Sequence, residues 1–413
     1  MVRPAYSSRP DPADEPATYS EVFAVAEFRW LWAAQLGSVI GDQLARVALA
    51  VLVFDRTGSA GLSAVTYALT FLPDVVSGPM LSWLADRFPR RAVMVWCDVA
   101  RAGLVALMAI PGAPVWVLCA LLVAVQLLAA PFQSARAALL PDILTGDKYV
   151  LASSVSNVTA QAAQLAGFVA GGTLVAAFGT SQALVVDAAT FALSGLLIRI
   201  GVRDRRMSPA TDGAGQLGWW RSLSAGAALV WRDRRLRYLI ALACVAGFYI
   251  TVEGLAAPYA AAIGGGPLAV GLLLAANPAG QMVGMLLLAR VAPARRLAMM
   301  GPMAVGSCLP LIACVLHPGL WFTVALWVVS GLCSSYQLAA NASFVQSVPS
   351  AVRGQAFGLA RTALIVSQGL GVLAAGTAAD QWHPGSVVAV AGAVGVVVAV
   401  GATLGYRRAV SPG

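Results

Sequence analysis

An all-α, polytopic membrane protein with twelve transmembrane helices in two pseudo-symmetric six-helix bundles is predicted by three observations. Of the 413 residues 59% are hydrophobic and only 11% charged, with a mean hydropathy of +0.78, far from the composition of a soluble domain. Apolar runs long enough to cross the hydrocarbon core, which takes roughly 20 helical residues, recur from about residue 28 almost to the C-terminus. The alternation of polar and apolar residues that marks a membrane β-barrel does not occur.

Each element follows from these runs. Residues 1–27 read as a tail; MVRPAYSSRPDPADEPATYS has no apolar signal core and no cleavage pattern, which predicts a disordered segment. The first bundle, 28–201, holds spans at 28–54, 60–85, 90–111, 114–137, 151–178 and 181–201. A polar linker, 202–235, divides the spans six and six. Its second half sets Trp219, Trp220, Leu223 and Trp231 beside arginines, the pattern of a helix lying in the membrane interface. The second bundle, 236–406, holds spans at 236–262, 267–290, 296–316, 319–345, 354–379 and 385–406, followed by a short tail, 407–413. Alternate loops carry Arg87, Arg90, Arg91, Lys148, Arg203, Arg205, Arg206, Arg295, Arg296 and Arg353, whereas PGAP, GTSQ, IGGGP and HPG carry no lysine or arginine. The positive-inside rule therefore places the arginine-bearing loops and both termini in the cytoplasm. The halves resemble each other faintly: ALLPDILTGDKYVLASS (138–154) parallels FVQSVPSAVRGQAFGLA (344–360), and AQLAGFVAGG (163–172) parallels SQGLGVLAAG (367–376).

Several classes of function are excluded. The net charge of +9 lies at the ends of apolar segments and not in a basic domain, so no nucleic acid is expected. The six cysteines sit inside apolar runs with no CxxC pair, and His317 and His383 each occupy an HPG turn, so no metal or cofactor is expected. No GxxxxGK[ST] phosphate loop and no soluble domain able to hold one is present, which points away from an enzyme.

Ionisable and polar groups inside the spans are costly and therefore mark sites. Gln35, Ser38, Asp42 and Arg46 share one face of the first span, where Asp42 and Arg46 either pair with each other or line the interior. Glu253, some seventeen residues into the seventh span, and Asp42 are the two candidate proton sites; a Glu253 solvated near the outer mouth or paired with an arginine is the alternative. Asp98 and Arg101 stand one turn apart in the third span. Asp74, Asp187 and Arg361 are further intramembrane charges. Polar stripes complete a candidate cavity: Asn157, Gln161 and Gln164; Gln126 and Gln133; Asn277 and Gln281; Gln337 and Asn341, with Tyr67, Phe71, Phe248, Tyr249 and Tyr336 as aromatic walls. Hydrogen bonding between helices is the competing role for every stripe.

The stretch SWLADRFPRR (82–91), between spans two and three, resembles the signature loop of the major facilitator superfamily, with Ser82 and Pro89 in the two glycine places. The proline before paired arginines is similar to the macrolide-efflux-like branch of drug exporters. AQLAGFVAGG resembles the superfamily's antiporter motif: Gly167, Gly171 and Gly172 match, while Phe168 stands for the proline and Ala163 for an early glycine. This likeness implies alternating access between two bundles that rock about a midplane site. Asp86 and Arg87 would belong to a cytoplasmic gate with Arg136, Asp98 and Arg101, and the glycines to a helix-packing seam. The implied activity is proton-coupled export of a drug or amphipathic small compound across the plasma membrane by a monomer, its partners being the substrate, protons and the lipid bilayer. Uptake or facilitated movement of a metabolite is the alternative, and a non-transporting scaffold is disfavoured for want of a docking domain.

Overall fold

The computed structural model describes residues 18–73, 75, 77, 87–205, 231, 233–348 and 353–410. Among them every regular element is helical, because a helix satisfies its own backbone groups where no water can. The first half comprises α1 (Tyr19–Ala24), α2 (Ala26–Thr57), α3 (Ala60–Ala68), α4 (Arg90–Met108), α5 (Val115–Ile143), α6 (Asp147–Phe178) and α7 (Thr180–Gly201). The second comprises α8 (Arg234–Cys244), α9 (Ala246–Tyr249), α10 (Thr251–Gly254), α11 (Ala256–Ala262), α12 (Pro267–Ala289), α13 (Pro293–Cys308) with a 3-10 continuation at Leu309–Leu316, α14 (Leu320–Ser334), α15 (Tyr336–Ser347), α16 (Arg353–Ala379) and α17 (Pro384–Val410).

Ten helices among the described residues are long and apolar enough to cross a membrane. Two of the twelve expected spans fall outside that set. The span at 60–85 passes beyond α3 into residues outside the description. The third is α4, whose 19 residues include Arg90, Arg91, Asp98 and Arg101.

Local chemistry sets the ends. Gly58, at φ 63°, closes α2 in the left-handed conformation that costs glycine little, and Ser59 then caps α3 by accepting from the Leu62 amide at 3.1 Å. Proline opens α12, α13 and α17, where its missing N–H is no loss. Arginines at the loops do more than fix topology: Arg90 bonds the Ala138 carbonyl at 2.8 Å and pairs with Asp142 at the end of α5. Arg91 donates to the Arg199 carbonyl near the end of α7, so both place positive charge at helix C-termini.

Two expectations about helix extent change. Residues 19–24 form α1, inside the expected tail and overlapping its disordered stretch only at Tyr19 and Ser20. Thr18 caps it, Val22 is buried, and Phe23 stacks edge-on against Phe28 and Trp32, each at 5.4 Å. The seventh span is not one helix but four segments, α8 to α11. Its hydrogen bonds shorten to i−3 at Val245, Phe248 and Glu253, giving a discontinuous helix of the sort that lines transporter sites. The interfacial helix expected in the linker lies outside the described residues.

In the first half α2 packs on α6 and α7, and α4 on α5 and α7; in the second, α12 packs on α14, and α17 on α8, α13 and the 3-10 turn. The halves meet where α6 lies on α12 and α3 on α16. Small residues allow the first contact. An added Cβ at Gly172 would fall 2.9 Å from the Pro267 carbonyl and 3.0 Å from Gly271 Cα, so backbone meets backbone. Gly167 and Gly171 face α2 instead, against Ile40 and Gln43 and against Leu44 and Val47. Gly172→Val is expected to cost the closed seam about 1–3 kcal/mol, the usual range for overpacking. A cysteine replacing buried Ala269, in an otherwise cysteine-free chain, should then become reactive to a membrane-impermeant maleimide.

At the end opposite the arginine-bearing loops, the His317 and His383 rings stack with centroids 3.7 Å apart, joining the turn before α14 to the turn before α17. Burial and the neighbouring His317 push His383 below the usual imidazole range of about 6.5. A lowered pKa means that the packed turn prefers the neutral ring. The contact is therefore fully present above about pH 6.5 and lost as pH falls through the lowered value. Hydrogen exchange at 314–320 and 381–387, corrected for intrinsic rates, should accelerate between pH 7 and pH 5.

Candidate functional site

Charged side chains of α2, α4 and α7 converge inside the first half. Arg101 is buried and donates to both oxygens of Asp42, at 3.0 and 3.4 Å. Its guanidinium lies 4.0 Å over the Phe191 ring, a cation–π contact that helps hold a charge away from water. The alternative pairing of Asp42 with Arg46 on its own helix is not the one formed. Asp98, fully buried, accepts from Ser194 at 2.6 Å. Asp187 is equally buried and keeps the Thr190 hydroxyl 3.4 Å from Oδ1. Its carboxylate can sit against α2 because residue 41 is glycine: a Cβ there would overlap Asp187 and Thr190. Asp42, Arg46, Thr70, Gln126 and Asp187 line a void of about 20 Å³, the size of one water molecule.

Asp98 and Arg101 bond within the first half, to α7 and α2, and Arg136 donates to Gln35 on α2. All three charges therefore tie helices of the first half together. Asp86 lies outside the described residues; Arg87 is described and exposed.

Polar contacts between the halves lie elsewhere. Tyr67 of α3 donates its hydroxyl to Glu253 of α10, and both side chains are buried at the seam. Glu253 is thus buried, not solvated, and Arg46 of α2 acts on it electrostatically, although no arginine among the described residues lies within ion-pair distance. Nearer the end opposite the arginine-bearing loops, Asp380 follows the last residue of α16 and reaches the start of α3. Its Oδ1 accepts from Ser59 Oγ at 3.1 Å and from the Gly61 amide at 3.1 Å. A helix N-terminus in one half is thereby capped by a carboxylate of the other. Asp380→Ala is expected to weaken the closed seam by about 1 kcal/mol, the usual value of an N-cap, which is roughly fivefold in population. Faster maleimide labelling of a cysteine at buried Ala64 measures it.

Toward the arginine-bearing end the second half holds a cavity of its own. This cavity of about 320 Å³ is lined by α8, α12, α15 and α16, and Gln337, Asn341 and Arg361 supply its polar groups. Gln337 donates to the Ala243 carbonyl at 3.0 Å and to Tyr249 Oη at 3.3 Å, so it also braces the broken seventh span. Three of the candidate cavity residues thus share one cavity. Others do not: Asn277 is buried between α12 and α14, its backbone against Gly331, and Asn157 is exposed on α6. Gln161 and Gln164 are half-buried on α6.

Asp380, Ser59 and the bonding role of Tyr67 were missed in the sequence. One signal was available: a carboxylate at the C-terminal end of a helix opposes the helix dipole and so calls for a donor elsewhere.

The family model of the Major Facilitator Superfamily matches residues 31–292 and 239–412. Among curated relatives, an uncharacterized MFS-type transporter of Bacillus subtilis, YfiS, is 27% identical over 223 residues, 54% of this chain and 53% of its own. A second, YvqJ of the same organism, is 25% identical over 275 residues, 64% of each chain. The chain thus matches between about half and just under two thirds of the length of these relatives. Macrolide efflux protein A of Streptococcus pyogenes is 34% identical over 79 residues, 19% of this chain and 20% of that one. Among solved structures, the nucleoside transporter NupG superposes with a TM-score of 0.69 at 13% identity, over 92% of this chain and 99% of that one. A bacterial homolog of the lysosomal transporter Spinster, in an inward-facing and unoccupied conformation, gives 0.65 at 15% identity, over 95% and 96%.

Proposed function

The chain belongs to the major facilitator superfamily, and from that premise we propose that it is a proton-coupled secondary transporter exporting an amphipathic organic compound across the plasma membrane. The observation that carries this reading is the Tyr67–Glu253 contact: a carboxylate buried between the halves is also one of the groups that join them. With the arginine-bearing loops in the cytoplasm, the cavity at Gln337, Asn341 and Arg361 opens inward and the Asp380 cap closes the outside. Cargo enters from the cytoplasm. The halves then part at the outer end, and Glu253 meets external protons; a protonated Glu253 no longer offers Tyr67 a charged acceptor. Asp42, paired with Arg101 beside the water-sized void, is the second coupling candidate, and Asp86 and Arg87 serve the inner gate of the alternate state. Such exchange uses differential contacts in two states, which is what alternating access requires.

Proteoliposomes containing the purified protein, loaded with a pH-sensitive dye and challenged with amphipathic compounds, test the reading. Proton movement that depends on compound and protein is the expected result. Compound flux without proton movement would leave facilitated transport or uptake, and no flux of any kind would sink the transport reading.

A further inference from the structure

We infer that the inward-opening cavity takes an amphipathic organic anion, its acid group paired with Arg361 and its apolar body held by the cavity wall. The inference rests on the proposed transport reading and adds the charge of the cargo. Arg361 is the one charged residue among those lining the cavity; beside Gln337 and Asn341, the remaining lining groups are apolar, with Phe344, Phe357 and Met285 the bulkiest. Arg361 lies eight residues into α16, about 12 Å along the axis from Arg353. That is deeper than an arginine needs to be to mark the membrane edge. Among the described residues no carboxylate pairs with it.

The surrounding half offers little to neutralise that charge. Residues 236–413 contain eight arginines and only two acids, Glu253 and Asp380. Both acids are already engaged at the seam, with Tyr67 and with Ser59 and Gly61. An organic cation entering the cavity would meet like charge at Arg361, whereas a carboxylate or sulfonate meets a planar fork of donors built to hold it. The volume, about 320 Å³, fits one or two rings with a short acidic arm. A free solute and the headgroup of an anionic lipid share this chemistry.

A matched pair of probes with one aromatic body tests the inference: dansylglycine, a monoanion, and dansylcadaverine, a monocation, titrated against the full-length protein in phosphatidylcholine nanodiscs. Dansylglycine is expected to bind at least tenfold tighter. Arg361→Gln should erase that preference and Arg361→Lys retain part of it. Equal or tighter binding of the cation, no binding of either probe, or an Arg361→Gln variant that holds dansylglycine as the parent does would each overturn the inference. Displacement of dansylglycine by added phosphatidylglycerol would support the site and assign it to a lipid headgroup; no displacement would support it with a soluble anion as occupant. Dansylglycine binding without flux in proteoliposomes would sink the transport reading and leave the anion site standing. Flux confined to cations would do the reverse.

Discussion

Glu253→Gln is expected to reduce substrate-dependent proton movement at least a hundredfold while leaving the protein folded and inserted. The substitution keeps the shape of the side chain and one oxygen able to accept from Tyr67, so the seam loses the charge of its acceptor and little packing. What it removes is the group that can gain and lose a proton between the halves. Compound flux down its own gradient should survive, because the cavity at Gln337 and Arg361 is untouched. Tyr67→Phe gives the complementary result. It leaves a buried carboxylate without its donor, at a cost of about 1–3 kcal/mol, so the closed seam loosens while the titrating group remains. If Glu253→Gln proteoliposomes still move protons with substrate, coupling resides elsewhere, with Asp42 the next to test.

The second large effect is on stability. Arg101→Ala strips the buried cation from Asp42, and Asp98 and Asp187 lie in the same polar core. Breaking a fully buried pair from one side costs about 3–5 kcal/mol; with the Asp42 side chain 28% exposed the expected loss is about 1–3 kcal/mol, still a sizeable share of the roughly 5–15 kcal/mol that holds a typical domain together. The loss of the stack on Phe191 adds to it. A lower Tm in detergent and a smaller monodisperse fraction are the expected readouts. Asp42→Asn combined with Arg101→Ala should recover part of the loss, because the carboxylate left without a partner is then neutral. A double variant no more stable than Arg101→Ala alone would show that the pair matters through packing and not through charge.

The membrane fold was legible in the sequence because hydrophobic length is a property of consecutive residues, and basic residues concentrate in alternate loops. At the glycine run read as a helix-packing motif, only the structure shows Gly167 and Gly171 against α2 and Gly172 against α12. The site was less legible, since partners there are set by helix placement. Asp42 and Arg46 stand one turn apart and look like a pair, yet Arg101, 59 positions away, takes the carboxylate. Asp98 reads as a gate residue because it lies not far from the cytoplasmic end, and nothing in the sequence points to the bond it makes with Ser194, 96 positions on. The breaks in the seventh span were hidden for another reason: Gly247 and Gly254 are common in membrane helices and do not by themselves announce a discontinuity.

The hydrogen bonds named at the seam all run in one direction. Tyr67, Ser59 and Gly61 give protons from the first half, and Glu253 and Asp380 receive them in the second. A half set against a copy of itself in the same pose would therefore meet donor with donor, or carboxylate with carboxylate. Two bundles alike in outline are thus complementary in polarity, as plug is to socket, and each is specified to close on the other and not on its own kind.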